Sequence, residues 1–316
     1  MSIDTLHTDR CDADTHGVNL RQLEYFVVIA EEGSFTRASE RLLVAQPSLS
    51  QQIGVLEAEL GGPLLERLPR GVRLTMAGQN FLPEARAAIS HANRARRSVR
   101  MALSLESGQL EIATITSAAA GILPSALRRW QELHPSIEVS LSEYLHRRLL
   151  DEAVRNGDGD MAVGSPPASW DGPITPLGWE EFVLVLPPGD PTLRERSVDL
   201  AELADRRWVH FARGHGLAEV VDMQCAAAGF SPRVAVRTSQ VVAAPLFAAA
   251  GLGPALVPDH IVPDSAKELT RPAKPRLVRP VVAFTRRDWT PVTRAFLDTL
   301  HEYPWRRKPP RATNLG

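Results

Sequence analysis

Long apolar runs, a cysteine framework and an excess of charge are all missing from this 316-residue sequence. No stretch approaches the ~18 consecutive apolar residues of a membrane-spanning helix, and the polar, acidic N-terminus does not resemble a secretory signal. The two cysteines, Cys11 and Cys225, cannot form a disulfide framework, so a reducing cytoplasm is the natural setting. A net charge of −1 argues against a generally basic nucleic-acid coat, although local arginines can still bind DNA.

Catalytic and metal-binding motifs are also absent from the sequence. There is no Gly-x-Ser-x-Gly elbow, no phosphate-binding loop, no HExxH and no pair of cysteines at metal-binding spacing. Residues 1–18 contain several His, Asp and Cys residues, but their spacing matches no known metal site, and the segment is typical of a disordered tail. We therefore predict no catalytic residue, no metal and no cofactor.

A helix-turn-helix pattern occupies residues 33–74. Gln46 precedes Pro47, and because the fixed φ of proline suits the first turn of a helix, the second helix is expected to begin at Gln46. Apolar residues then recur at helical spacing along one face, namely at Leu49, Ile53, Leu56 and Leu60. The opposite face carries Pro47, Ser50, Gln51 and Gly54, with Ser48 at its flank.

Small hydroxyl and amide side chains on that face suit a DNA major groove. Serine reaches phosphates or base edges, and Gln51 can pair with adenine through two hydrogen bonds. A polar face opposite an apolar stripe is also typical of an ordinary solvated helix, so this helix alone does not show whether the protein binds DNA. The neighbours favour DNA, because residues 65–75 are typical of a two-stranded wing whose Arg67, Arg70 and Arg73 are spaced to follow a phosphate backbone.

A set of short motifs stands in register across roughly sixty residues of this region. They are Leu20-Arg21-Gln22-Leu23, Gly33-Ser34-Phe35-Thr36-Arg37-Ala38, Ala45-Gln46-Pro47-Ser48-Leu49-Ser50 and Leu74-Thr75-x-Ala77-Gly78. Together they closely resemble the winged helix-turn-helix of LysR-type transcriptional regulators. The resemblance implies a bacterial transcription factor with a DNA reader over residues 19–77, a dimerisation linker over 78–107 and an effector-binding domain over 108–304. The expected DNA-binding residues are Ser34, Thr36, Gln46, Pro47, Ser48, Ser50, Gln51, Arg67, Arg70 and Arg73.

Two departures from the family pattern matter. Family members often carry arginines where this chain has Gln51, Gly54 and Val55, which implies fewer phosphate contacts from the helix. Leu65 stands where the family usually has phenylalanine, which reduces the volume available for packing the wing.

A long helix is expected after the wing, over about residues 76–104, with Thr75 as its cap. A heptad seam interrupted by Arg96 runs along it through Leu82, Ala85, Ile89, Ala92, Val99 and Leu103. Such a seam holds two helices together or packs one helix on its own domain. The family resemblance favours a homodimer and suggests a homotetramer. Pro83 should kink the helix near Gln79, because it removes one backbone hydrogen bond.

After Gly108 the pattern changes to alternating strands and helices. Strands are expected at residues 110–115, 137–141, 160–163, 182–186, 208–211, 234–236, 255–257 and 281–284, and helices at 122–133, 149–155, 217–228, 241–250 and 291–303. This predicts an α/β domain with largely parallel sheets. It is similar to the family's effector domain, which resembles type 2 periplasmic-binding proteins, with subdomain I at about 108–165 and 280–304 and subdomain II at about 166–279. Residues 305–316 are typical of a loose basic tail.

Ligands of open α/β sheets bind where strand ends lead into helix N-termini. Those positions carry Thr116, Ser117, Tyr144, His146, Ser165, Arg213, His215, Ser239 and Gln240. Each alone is equally explained as a turn or cap residue. The resemblance implies that their loops line one effector pocket, and their chemistry favours a small carboxylate.

Cys225 bears on redox sensing. Peroxide-sensing members of the family carry another cysteine nine residues earlier, where this chain has Gly216. We therefore predict that Cys225 is a small apolar filler and that there is no disulfide switch.

The function that these patterns predict is a DNA-binding transcriptional regulator whose operator binding responds to a small-molecule effector. Its partners would be double-stranded DNA, the effector and further copies of itself, with no membrane. The alternative is a cytoplasmic small-molecule-binding protein or an enzyme built on the α/β domain.

Overall fold

The chain divides into two compact units near Arg96. The computed structural model describes residues 17–68, 71–103 and 108–315. Of the tail expected over residues 1–18, residues 1–16 lie outside the described residues.

The N-terminal unit contains three helices, a hairpin and the first part of a long helix. They are α1 (Leu20–Glu32), α2 (Phe35–Leu42), α3 (Gln46–Glu59), β1 (Leu65–Leu68), β2 (Gly71–Leu74) and α4 (Met76–Leu103). Local chemistry sets several boundaries: Asn19 and Gln22 form a capping box at α1, and Ser34 caps α2. The prediction that the second helix of the motif begins at Gln46 is confirmed.

The core of this unit forms where the apolar faces of α1 and α3 meet. Phe26, Ile29, Leu49 and Leu56 are fully buried in one cluster, and Ile53 is nearly so. The last residue of the predicted stripe is different: Leu60 forms the C-cap of α3 and is exposed.

The hairpin of β1 and β2 is the predicted wing, and two contacts fix it to the helices. The Glu57 carboxylate on α3 accepts hydrogen bonds from the amides of Leu64 and Leu65, at 2.8 and 3.0 Å. At Gly71, φ is +99°, and the amide of Val72 donates to the carbonyl oxygen of Gly33. A Cβ at Gly71 would lie 2.6 Å from that oxygen, so glycine is required there.

The helix α4 begins after Thr75, whose hydroxyl accepts from the amide of Gly78 as predicted. It continues through Pro83, and the expected kink remains a prediction. The first part of the heptad seam packs on its own unit: Ala85 is buried in the core, with Leu82 and Ile89 against it. That part of the seam therefore contributes to the core of its own unit, with Leu82 and Ile89 still partly exposed. Within the described ranges, no helix is both long enough and apolar enough to cross a membrane.

The C-terminal unit alternates strands and helices. The strands are β3 (Gln109–Ile115), β4 (Glu138–Tyr144), β5 (Met161–Gly164), β6 (Ile174–Val185), β7 (Val198–Asp199), β8 (Arg207–Phe211), β9 (Arg233–Thr238), β10 (Ala255–Pro258), β11 (Thr270–Phe284) and β12 (Thr313–Asn314). The helices are α5 (Thr116–Gly121), α6 (Leu123–Leu133), α7 (Arg147–Asn156), α8 (Gly216–Ala227), α9 (Ala243–Ala249) and α10 (Pro291–His301), with short 3₁₀ turns at Pro191–Arg194, Leu200–Leu203, Asp259–Ile261 and Asp264–Leu269.

The sheets are mixed rather than largely parallel. β3 pairs in parallel with β4 and β5, and β8 pairs in parallel with β9 in a separate two-stranded sheet. The centre is antiparallel, because the long strands β6 and β11 run in opposite directions from Thr270 opposite Val185 to Phe284 opposite Ile174. They are the two crossing strands that the family resemblance implies.

The crossing strands connect two separate apolar cores. One core contains Phe182 of β6 and Leu277 of β11, and the other contains Leu177 and Phe284 of the same two strands. Each strand thus begins in one subdomain and ends in the other. The α/β two-subdomain fold is confirmed.

Residues 305–316, expected to form a loose basic tail, pair with the sheet instead. β12 lies parallel to β11, and the amide of Leu315 donates to the carbonyl oxygen of Val278 at 2.8 Å. Arg306 forms ion pairs with Asp259 and Glu181, at 2.7 and 3.3 Å. Arg306, one of the basic residues that suggested a solvated tail, therefore has acidic partners, and Nζ of Lys308 lies 5.1 Å from the centre of the Trp179 ring.

Candidate DNA-reading helix and effector cavity

The α3 helix carries five of the ten residues predicted to meet DNA, and four of them are exposed. Gln46, Pro47, Ser48 and Gln51 are exposed, because the opposite apolar face packs inward. No side chain caps this helix. Its first amides and the positive end of its dipole therefore favour an anion such as a DNA phosphate.

The two predicted residues at the start of α2 differ in their exposure and hydrogen bonding. Ser34 is half-buried, and its hydroxyl oxygen accepts from the amide of Arg37 at 3.4 Å, as a helix cap. Thr36 is exposed as the second residue of the same helix. Only Thr36 thus presents its side chain fully to solvent.

Arg67 joins the wing to α3. Its Nη2 donates to the hydroxyl of Ser50 at 2.6 Å, and its guanidinium carbon lies 4.8 Å from the centre of the Phe35 ring. These contacts hold a positive charge beside the exposed face of α3. Arg73 lies opposite Glu66 in the hairpin, and its Nη2 is 2.7 Å from Oε2 of Glu66. This carboxylate offsets part of the positive charge that Arg73 was predicted to bring to a DNA phosphate.

Arg70 lies outside the described residues, and its role remains a prediction. The same holds for the DNA contacts of the other nine residues, whose positions are given above. Their arrangement is a polar helix face flanked by one fixed arginine.

A cavity of about 300 Å³ lies in the C-terminal unit, among the first residues of α5, α7 and α8. Five of the nine predicted effector residues line it: Thr116, Ser117, His146, Ser165 and His215. The apolar part of the lining comes from Ile115, Leu145, Leu217, Val220, Met223 and Leu315. The carboxyl ends of strands do meet here, as the rule for open α/β sheets predicts.

Two histidines at the cavity each cap a helix. Nδ1 of His146 accepts from the amide of Arg148 at 3.0 Å, and Nδ1 of His215 accepts from the amide of Leu217 at 3.1 Å. Because both Nδ1 atoms accept, the proton of each neutral ring lies on Nε2. Burial, and secondarily the charge of His146, lower the pKa of His215. His215 is therefore a neutral donor at neutral pH, 3.4 Å from the hydroxyl of Thr116.

Four predicted effector residues do not line the cavity. The Tyr144 hydroxyl donates to Asp158 at 2.9 Å instead. Arg213 is exposed in the loop before α8. Ser239 and Gln240 are also exposed, in the turn that follows β9 of the separate β8–β9 sheet.

Sequence reasoning missed three charged residues and a C-terminal one at the cavity: Arg147, Glu219, Arg279 and Leu315. Arg147 adjoins the predicted His146, so its position carried a usable signal. Arg279 and Leu315 carried none, because both reach the cavity through the pairing of strands far apart in sequence.

Arg279 belongs to a buried charge cluster on the crossing strands. It lies opposite Glu180 in the register of β11 and β6, and its Nε donates to Glu180 Oε1 at 2.6 Å. The other Glu180 oxygen is 2.7 Å from Nε2 of His260. Burial disfavours the charge of Glu180, but Arg279 and then His260 outweigh it and lower the pKa of Glu180 to about 2. Glu180 is therefore ionised at neutral pH.

Cys225 is fully buried on α8, as predicted. Burial, together with the nearby charge of Asp222, raises the pKa of its thiol to about 12. A thiol in this environment is a poor nucleophile at neutral pH. The described part of the chain contains no cluster of His, Cys, Asp and Glu residues that could hold a metal ion.

The chain combines a winged helix-turn-helix with a two-subdomain α/β unit that contains a cavity. This combination defines a class of regulatory protein, and each of the two parts matches a family model. Residues 20–79 match the bacterial regulatory helix-turn-helix protein, lysR family, and residues 104–305 match the LysR substrate binding domain. This chain belongs to the LysR family of transcriptional regulators.

Individual relatives align over most of their length. The transcriptional dual regulator GltC of Bacillus subtilis (strain 168) is 31% identical over 255 residues, covering 80% of this chain and 85% of GltC. The regulator ClcR of Pseudomonas putida is 31% identical over 292 residues, covering 90% and 98%. Among solved structures, full-length CbnR complexed with its target DNA has a TM-score of 0.62 and 26% identity, covering 90% of this chain and 99% of CbnR.

Proposed function

We propose that this protein binds a specific operator through the exposed face of α3 and the wing, and that a small molecule in the C-terminal cavity modulates that binding. The observation that carries the proposal is the polar, uncapped start of α3 beside the fixed guanidinium of Arg67. The similarity to CbnR, which was crystallised with its target DNA, supports the same use of this unit.

The residues divide between reading bases and binding phosphates. Gln51 and Ser48 are exposed on α3 and have the chemistry to meet base edges in the major groove. Arg67 has the chemistry of a phosphate contact, which positions a protein without reading sequence. Ser50 holds the Arg67 side chain and would act through it.

The effector would act through the cavity between the subdomains. Two long strands connect those subdomains, so a ligand that contacts both α7 and α8 would change their relative position. In an oligomer this would favour one spacing of the DNA readers over another, with a coupling of ~1–3 kcal/mol.

A homodimer through α4 is the assembly that suits paired half-sites, and a tetramer would pair two dimers. The portion of α4 before Ile89 packs on its own unit, so the dimer contact would use the later part of the helix. Light scattering on the full chain tests this: a mass of a single chain of 34.6 kDa at micromolar concentration would contradict it.

The enzyme alternative loses support, because the relatives are named as transcriptional regulators. We infer that the protein catalyses no reaction and acts in the cytoplasm, where its DNA partner is accessible. The test of the proposed function is a footprint on the intergenic DNA beside its own gene. Protection of a defined segment is expected, and absence of protection even at low salt would contradict the proposal.

A further inference from the structure

The last described segment, residues 305–315, is attached to the rest of the C-terminal unit at both of its ends, and we call it the C-terminal strap. Near its start, Arg306 forms ion pairs with two carboxylates. Near its end, β12 pairs with β11, and the amide of Leu315 donates to the carbonyl oxygen of Val278 at 2.8 Å. The position of Leu315 is therefore fixed by a backbone hydrogen bond.

The strap covers an edge of β11 where the two subdomains join. β6 pairs with one edge of β11 along residues 277–284. On the opposite edge, β5 pairs with residues 282–284 and β12 pairs with Leu277 and Val278. A strand edge presents backbone donors and acceptors that need partners, and β12 provides them at this point.

The carboxyl ends of β5 and β12 point towards each other along this edge. β5 is antiparallel to β11 and β12 is parallel to it, so the two strands converge on residues 279–281 of β11. The residues that follow them are Ser165 after β5 and Leu315 after β12, and both line the cavity together with Arg279. β12 thus brings a side chain to the cavity in the way that strands of an open α/β sheet do.

Leu315 has a packed core on one side and the cavity on the other. It is half-buried against the apolar core that contains Phe182 and Leu277, and it is also part of the cavity lining. A leucine supported in this way cannot move aside freely, so it limits the space that a ligand can fill. Residues 306–315 follow the part of the chain that matches the family's domain model.

We propose that the C-terminal strap completes the effector site, and that Leu315 contacts the ligand and limits the length of its apolar part. A cavity of about 300 Å³ with several apolar side chains suits a compact ligand with such a part. This inference rests on the proposed function, since it takes the cavity as the effector site.

Uncharged probes of graded length test this inference. Para-alkylphenols with unbranched side chains of one to six carbons share one ring and one hydroxyl, and they differ only in methylenes. Their dissociation constants are measured by saturation-transfer NMR with the full chain. Leu315→Ala removes three carbons from the cavity wall, and Leu315→Trp adds bulk at the same place. Leu252→Ala is the matched control, because this leucine is exposed and does not line the cavity.

The affinity of the wild type is expected to rise with each methylene, up to a length at which the side chain meets Leu315. Leu315→Ala should move this maximum to a longer phenol, Leu315→Trp should move it to a shorter one, and the control should leave it unchanged. At the first length beyond the wild-type maximum, Leu315→Ala should bind about 10-fold more tightly than the wild type. The inference is overturned if no phenol binds the wild type, if Leu315→Ala keeps the wild-type maximum, or if the control moves it equally.

The footprint on operator DNA, made with the same preparations, separates this inference from the proposed function. Operator protection with an unmoved maximum overturns the role of Leu315 alone. Absence of protection counts against the proposed function, whatever the phenols do.

Discussion

Glu180→Gln should destabilise the C-terminal unit, because it removes a buried charge that holds a buried arginine. The side chains of Glu180, Arg279 and His260 are only 3%, 8% and 7% exposed. Glutamine keeps the shape of Glu180 but leaves the Arg279 guanidinium buried without a counter-charge. Breaking a buried ion pair from one side costs about 3–5 kcal/mol. We expect a loss near the lower end of that range, because glutamine can still accept one hydrogen bond.

Tryptophan fluorescence measures this loss in the relevant unit. All six tryptophans lie after residue 108, at Trp130, Trp170, Trp179, Trp208, Trp289 and Trp305, so urea unfolding followed by their emission reports the C-terminal unit alone. Glu219→Gln is the matched control: its partner is His146, and its side chain is 63% exposed. The control should change stability by about 0.5 kcal/mol or less. Equal effects of the two variants would refute the reasoning.

Acid unfolding gives a second measure of the same cluster. The pKa of Glu180 is lowered from 4.5 to about 2 in the folded state. Its contribution to stability is therefore complete above pH 4.5 and is lost as the pH falls towards 2. The gap between the wild type and Glu180→Gln should shrink over that interval. A constant gap would mean that the charge of Glu180 does not stabilise the fold.

Three further predictions concern the wing, the base reader and the cysteine. Gly71→Ala should destabilise the N-terminal unit by about 1–3 kcal/mol, since its φ is positive and a backbone oxygen blocks the Cβ; hydrogen exchange measures this, with Gly54→Ala, where the space is open, as the harmless control. Gln51→Ala should relax the preference for operator over altered sequences, whereas Arg67→Ala should weaken all sequences alike; equal patterns in a competition assay would remove Gln51 as a base reader. Peroxide should leave operator binding unchanged, and a loss of binding that disappears in Cys225→Ser would show that the prediction of no redox switch is wrong.

The local features of the N-terminal unit could be predicted from the sequence. Pro47 marks the start of α3, and Ser34 and Thr75 cap their helices, because each of these signals acts within a few residues. The spacing of Leu49, Ile53 and Leu56 identified the buried face in the same way.

The length of the crossing strands was underestimated from the sequence, for a physical reason. Residues 174–181 were not expected to be strand, because Glu180 and Glu181 interrupt the apolar pattern there. Both carboxylates are buried against arginines from β11, almost a hundred residues later in the chain, at separations of 95 and 99 positions. A pattern of neighbouring residues contains no information on such partners.

The same limit explains the candidate cavity. Loops that follow strands of the larger sheet were placed correctly at its edge, as for Thr116, His146 and Ser165. Ser239 was not: it follows β9 of the separate two-stranded sheet, although His215, which follows β8 of that same sheet, does line the cavity. The contribution of Leu315 depends on the pairing of β12, which has only two residues and no sequence pattern of its own.

Discrimination between DNA sequences tests the central claim most directly. The measurement is the ratio of two dissociation constants of the full-length protein at one near-physiological salt concentration: for the footprinted segment beside its own gene, and for DNA of the same length and shuffled sequence. The account predicts a ratio of at least ~10³, as for sequence-specific regulators. A ratio near one would mean that α3 binds phosphates without reading bases, and it would contradict the account.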